Sequence, residues 1–89
     1  MTTNRQLQIC LFDPGHPNRC EHIALRPVTA EQVDGSGSVA LPAGARVMMT
    51  GFAVDPEDRN KSCAVAEIDK TVILLPEDAT CPVFLLYLR

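Results

Sequence analysis

Apolar and polar residues alternate over short stretches of this chain, and proline or glycine interrupts the pattern about every ten residues, which is the rhythm of short β-strands. "QLQICLF" (6–12) puts Leu7, Ile9 and Leu11 on one face and Cys10 on the other. "DPGHPN" (13–18) is loop, because two prolines and a glycine leave no room for a ladder. "CEHIALRPV" (20–28) reads as a second strand, with Pro27 confined to its end or to a sheet edge. Residues 29–38, "TAEQVDGSGS", offer the one place for a helical turn, poorly capped, and read mainly as a flexible loop. Strands are then expected over 38–41, 46–54, 62–68 and 71–75. The polar stretch 55–61 serves as a connection, Asp69-Lys70 as a tight break and 76–82 as a turn. The chain closes on "VFLLYLR" (83–89), read as a last strand. No segment holds apolar residues at i, i+3, i+4, i+7 for more than a turn or two. The expected fold is all-β: a compact β-sandwich or small barrel of about six or seven short strands, one domain spanning 1–89.

Three of these segments lack the alternation of a half-buried strand. "RVMMTGFAV", "TVILL" and "VFLLYLR" are apolar on both faces, the pattern of strands covered on both sides. In the last, Val83, Leu85 and Tyr87 would point one way and Phe84, Leu86 and Leu88 the other. A chain of 89 residues buries only roughly 60–65% of its unfolded surface, so a second apolar face is hard to cover from within. Each such side chain left in water forgoes roughly 1.5–3 kcal/mol. Two accounts fit: a closed small barrel with these strands central and the loops folded over them, or a face that meets another copy or a larger partner, since contiguous exposed patches of this kind mark contact surfaces. The residues expected at an interface are Met48, Phe52, Phe84, Leu86 and Leu88.

An internal echo runs through the second half. A shift of 34 residues lays Leu41-Pro42 on Leu75-Pro76 and Ala45 on Ala79. Each copy is a short strand, then Leu-Pro-x-x-Ala, then a longer apolar strand. Proline withdraws a donor and stops the ladder, and small residues let the chain turn. Two copies fit either a duplicated strand–arch–strand unit or two β-arches that converged on one turn.

Composition narrows the function classes. The formal charge is −3, and the eight basic residues form no run, which argues against nucleic acid as a partner. The N-terminal residues contain no apolar stretch fit for a signal peptide, and the longest apolar run is far too short to span a bilayer. A protein made in a cytoplasm, without a membrane partner, is expected. Its four cysteines would then be free thiols.

Candidate chemistry is sparse. Cys10, His16, Cys20 and His22 fall within thirteen residues and supply soft S and N donors for Zn²⁺, yet C-x5-H-x3-C-x-H matches no common zinc module. A small core thiol at Cys10 and loop histidines explain the same residues, and no metal or other cofactor is expected. Cys20 beside His22 or His16 could form a nucleophile–base pair, but no orienting acid accompanies it. Glu57-Asp58 and Glu77-Asp78 read as solvated turn residues. "DGSGS" lacks the lysine and helix of a phosphate loop. No enzyme is expected.

Small size, all-β character, mild acidity and "VALPAGARV" leading into a long apolar strand together resemble the small β-sandwich proteins of tailed-bacteriophage virions, the head decoration (cement) proteins and tail subunits. The likeness covers residues 38–55 and, more faintly, 71–88. The long N-terminal arm of many decoration proteins has no counterpart here. The resemblance implies a non-enzymatic structural role in the virion. Copies would bridge neighbouring subunits, self or a major capsid or tail protein, as a homo-oligomer or lattice component. It assigns no residue a role. The alternative is a small cytoplasmic inhibitor of the anti-defence type that masks a partner's surface. Acids spread through turns, with no concentrated acidic face, speak against it.

Overall fold

The computed structural model describes residues 7–87, with the backbone alone at 58–61 and 87. Eight antiparallel strands form one sheet: β1 Gln8–Leu11, β2 Glu21–Ala24, β3 Val28–Gln32, β4 Ser38–Leu41, β5 Arg46–Asp55, β6 Asp58–Ile68, β7 Thr71–Leu75 and β8 Thr80–Pro82. Their order is β4-β3-β7-β6-β5-β2-β8, with β1 added along the second half of β5. The sheet curls into a half-barrel, an all-β fold as the residue pattern requires. Its concave face carries the core: Ala30, Leu41, Val47, Met49, Ala64, Ala66, Ile73 and Leu75. None of the described helices is long and apolar enough to cross a membrane.

The curl comes from three bent ribbons, each a strand, a proline corner and a second strand. Residues 21–32 bend near Pro27, 38–48 near Pro42 and 71–82 near Pro76. The first two keep one register on both sides of the corner, from Glu31 opposite Ser38 to Val28 opposite Leu41 and again from Ile23 opposite Arg46 to Glu21 opposite Met48. Ala24 N–H donates to the Ala45 carbonyl and Gly44 N–H to the Ala24 carbonyl, both at 2.8 Å, carrying the pairing round the corner. Gly44 has φ +91°, a conformation glycine adopts without steric cost. The third ribbon lies on the other flank, where Leu25 N–H donates to the Ala79 carbonyl at 2.8 Å. The echo in the sequence is thus an echo in space. Ala45 and Ala79 N–H close the same turn onto the Pro42 and Pro76 carbonyls, each at 3.1 Å, and Leu41 and Leu75 are both buried. The two arches hold the β2–β3 ribbon between them.

Four expectations need correction. Residues 29–38 are not mainly loop: Val28–Gln32 is a strand, and Gln32 N–H to the Gly37 carbonyl closes its hairpin with β4. Its one inward apolar residue within that stretch, Ala30, is too small to stand out in a hydropathy pattern, yet it is 1% exposed. The polar segment 55–61 is largely strand as well. Asp55 pairs with Asp58 across a tight turn, and Glu57 N–H bonds the Asp55 carboxylate at 2.9 Å. Backbone pairing carries β6 outward here through residues whose polarity suggests a connection. Within 76–82, Thr80–Pro82 forms a short strand against β2.

The largest correction concerns the chain end. Val83–Tyr87 is a 3₁₀ helix, so the two-faced strand expected over 83–89 does not form at 83–87; Leu88 and Arg89 lie outside the described residues. Pro82 can donate nothing to continue the ladder, and β8, whose one neighbour among the described strands is β2, ends there. By contrast, Asp69-Lys70 makes the tight break that its position suggested. Both residues have positive φ (50° and 66°), the signature of a two-residue turn matched to strand twist.

Candidate functional site

A β-bulge in β5 shapes the concave face. Met49 faces Ala66 and Gly51 faces Val65, so Thr50 is an extra residue between them. Its hydroxyl is satisfied by donating to the Val65 carbonyl at 3.2 Å. The bulge also reverses the strand's parity. Met48 pairs with Glu67 and Phe52 with Ala64, and residues 64 and 67 of β6 point to opposite faces. Met48 and Phe52, expected on one outer face, therefore stand on opposite sides of the sheet. Phe52 joins the concave side.

The same bulge marks a change of neighbour. β2 pairs with β5 up to Met48, and β1 takes over from Gly51. Met49 N–H reaches the Cys20 carbonyl (2.9 Å), and Phe12 N–H reaches the Thr50 carbonyl (2.8 Å). At this junction the backbones approach so closely that a Cβ on Gly51 would strike the Cys10 carbonyl oxygen and lie 3.0 Å from Leu11 Cα.

Beneath the junction lies an open cavity of about 410 Å³. All three phenylalanines of the chain line it: Phe12 at the end of β1, Phe52 on β5 and Phe84 on the 3₁₀ helix. Phe12 and Phe52 rings are 6.1 Å apart and tilted by 43°, and His16 stacks on Phe12 at 4.7 Å. Met49 and Ala64 contribute apolar floor. His22 supplies a polar group: its Nδ1 shares a hydrogen bond with Thr80 Oγ1 at 3.0 Å, across from β8. Burial holds the His22 pKa below the ordinary imidazole value, favouring the neutral ring. Cys20 also lines the cavity, and burial pushes its thiol pKa up, so it is a poor thiolate. Glu77 is the one charged residue on the wall among those described.

The four residues considered for a metal do not come together. Cys20 and His22 share the cavity, His16 is stacked on Phe12, and Cys10 stands exposed on β1. Among the described residues no three His, Cys, Asp or Glu side chains form a group that could hold an ion. Ile9 and Leu11, on the face of β1 opposite Cys10, are exposed rather than core. Of the residues expected at an interface, Met48 (40%), Phe52 (37%), Phe84 (54%) and Leu86 (47%) are all exposed, and Leu85 (47%) joins them. The cavity itself had no signal in the sequence beyond the scarcity of aromatics. Its walls come from the 3₁₀ helix, from β2, β5, β6 and β8, and from the connections at 12–20 and 76–79. No family model matches this chain, and no curated protein or solved structure matches it.

Proposed function

We propose that the chain is a non-enzymatic structural subunit that binds protein surfaces within a larger assembly, as do the decoration and tail subunits of tailed-phage virions that its sequence resembles. The observation that carries this reading is the run Phe84-Leu85-Leu86, about half exposed at all three positions. A 3₁₀ helix turns once every three residues, so three consecutive apolar side chains point in three directions and one sheet edge cannot cover them all. Covering what remains exposed yields on the order of 1 kcal/mol per residue. A partner that binds only the assembled state supplies that cover and stabilises the assembly by mass action. In this reading the protein is made in the host cytoplasm and resides in the virion.

Size-exclusion chromatography with light scattering on the full chain tests it. The expected mass at tens of micromolar is a multiple of 9.7 kDa. The triple variant Phe84→Ser, Leu85→Ser, Leu86→Ser should return it to monomer with its β circular dichroism unchanged. A wild-type chain that stays monomeric and soluble at every concentration would overturn self-association and favour the surface-masking inhibitor.

A further inference from the structure

We propose that the concave cavity is a binding site for an uncharged aromatic ring bearing one hydrogen-bonding edge, with Phe12, Phe52 and Phe84 as its walls and His22 as its polar contact. The site shares Phe84 with the apolar run above, but its test reads ring binding at Met49 and His22 rather than the mass of the particle, so either proposal can fail without the other.

The placement of the aromatics is the first support. The fully buried core is built from Ala, Val, Leu, Ile and Met; no phenylalanine is fully buried, although Phe12 packs partly buried against that core. Yet all three converge on one hollow from residues 12, 52 and 84. Phenylalanines are large apolar groups that a small domain ordinarily spends in its interior. Here Phe52 and Phe84 stay exposed at 37% and 54%, and the Phe52 ring is tilted against that of Phe12. That arrangement offers ring faces and edges to a further ring at the offset-stacked or edge-to-face distances that aromatic pairs prefer.

Size and polarity define the ligand. A dry cavity of roughly 150 Å³ accepts benzene; this open one, at about 410 Å³, has room for a bicyclic ring. It also falls within the range of roughly 300–1,000 Å³ typical of small-molecule sites. Thr80 fixes His22 through Nδ1, and Nε2 has no hydrogen-bond partner among the described residues. In a neutral imidazole one ring nitrogen donates and the other accepts, so Nε2 offers a single complement to a hydroxyl or ring N–H. Glu77 on the wall, with no basic residue beside it there, repels anions. A phenol- or indole-type group satisfies all three conditions. It can arrive as a free small molecule or as a tyrosine or tryptophan side chain of a partner.

The test is titration of the full chain with 2-naphthol, naphthalene and 2-naphthoate, followed by NMR of the Met49 methyl group and the His22 ring. Saturable shifts at both positions are expected with 2-naphthol. Naphthalene should bind about three- to tenfold more weakly for lack of one hydrogen bond, and 2-naphthoate more weakly still. Phe52→Ala, at an exposed position, should weaken both neutral rings by more than tenfold without loss of fold. His22→Gln, which keeps a polar side chain, should bring 2-naphthol closer to naphthalene. A Gly-Trp-Gly peptide distinguishes the sources: binding tighter than free indole places the ring on a partner chain, and the reverse order points to a small molecule. Shifts that do not saturate, or that spare Met49 and His22, would overturn the proposal. So would equal affinity for all three naphthyl probes.

Discussion

Gly51 is the position where one methyl group should do most damage. A Cβ there would meet the Cys10 carbonyl oxygen and Leu11 Cα, the latter at 3.0 Å, and ordinary contacts begin at 3.4 Å. Both obstacles are backbone, so no rotamer change relieves them. β1 must shift away from β5, against the Phe12 amide bond to Thr50 (2.8 Å) and the pairings from Gln8–Val54 to Leu11–Gly51. Overpacking costs roughly 1–3 kcal/mol, and a rigid obstacle places Gly51→Ala at about 2–3 kcal/mol. For a domain of this size that lowers Tm by about 8–24 °C. Urea denaturation and a thermal scan measure it, with Gly15→Ala as control, since a Cβ at Gly15 meets nothing within 4 Å. Because β1 brings Phe12 to the cavity, Gly51→Ala should also weaken 2-naphthol binding, and hydrogen exchange at the Phe12 amide should speed up. A Gly51→Ala protein within about 0.5 kcal/mol of wild type, the usual scatter of neutral surface changes, would refute the tight β1–β5 junction.

Other outcomes are equally open to measurement. His22 has a folded pKa below its unfolded value, so the unfolded chain binds the proton first; stability should be full above about pH 6.5 and fall as pH drops toward the folded pKa. That loss should disappear in His22→Gln by denaturant titration at pH 7.5 and 5.5. Lys70→Gly replaces a strained positive φ with a residue that adopts it freely, and should stabilise the β6–β7 hairpin by about 0.4–1 kcal/mol in urea, read as a shift in midpoint without change of slope. Leu41→Ala and Leu75→Ala, at matched positions of the two arches, should each cost about 2–5 kcal/mol by the same assay. At pH 8, mass spectrometry after timed iodoacetamide treatment should show Cys20 alkylated more slowly than exposed Cys10, because burial both shields its sulfur and disfavours its thiolate.

The sequence determined the class of fold and its punctuation. Period-2 alternation in 6–12, β-branched residues in 71–75, and proline or glycine at the corners are local properties, and strands formed at Gln8–Leu11 and Thr71–Leu75 as they implied; the strand expected over 20–28 formed only at Glu21–Ala24, the chain bending before Pro27 and starting a new strand at Val28. The Leu-Pro-x-x-Ala echo did so twice over, because proline and alanine act through their own backbones and small volumes. Tertiary structure decided the remainder. Whether Val83–Tyr87 continues a ladder depends on a neighbouring strand being present beyond Pro82, which no residue within the segment encodes. The face on which Phe52 stands depends on one extra residue at Thr50, and a bulge leaves the hydropathy pattern of β5 intact while reversing its parity. The strand nature of 28–32 rests on Ala30 meeting a core assembled from distant segments. The cavity depends on all of these at once: three phenylalanines at positions 12, 52 and 84 share no spacing a sequence can reveal, and only the curl of the sheet brings their rings to one place.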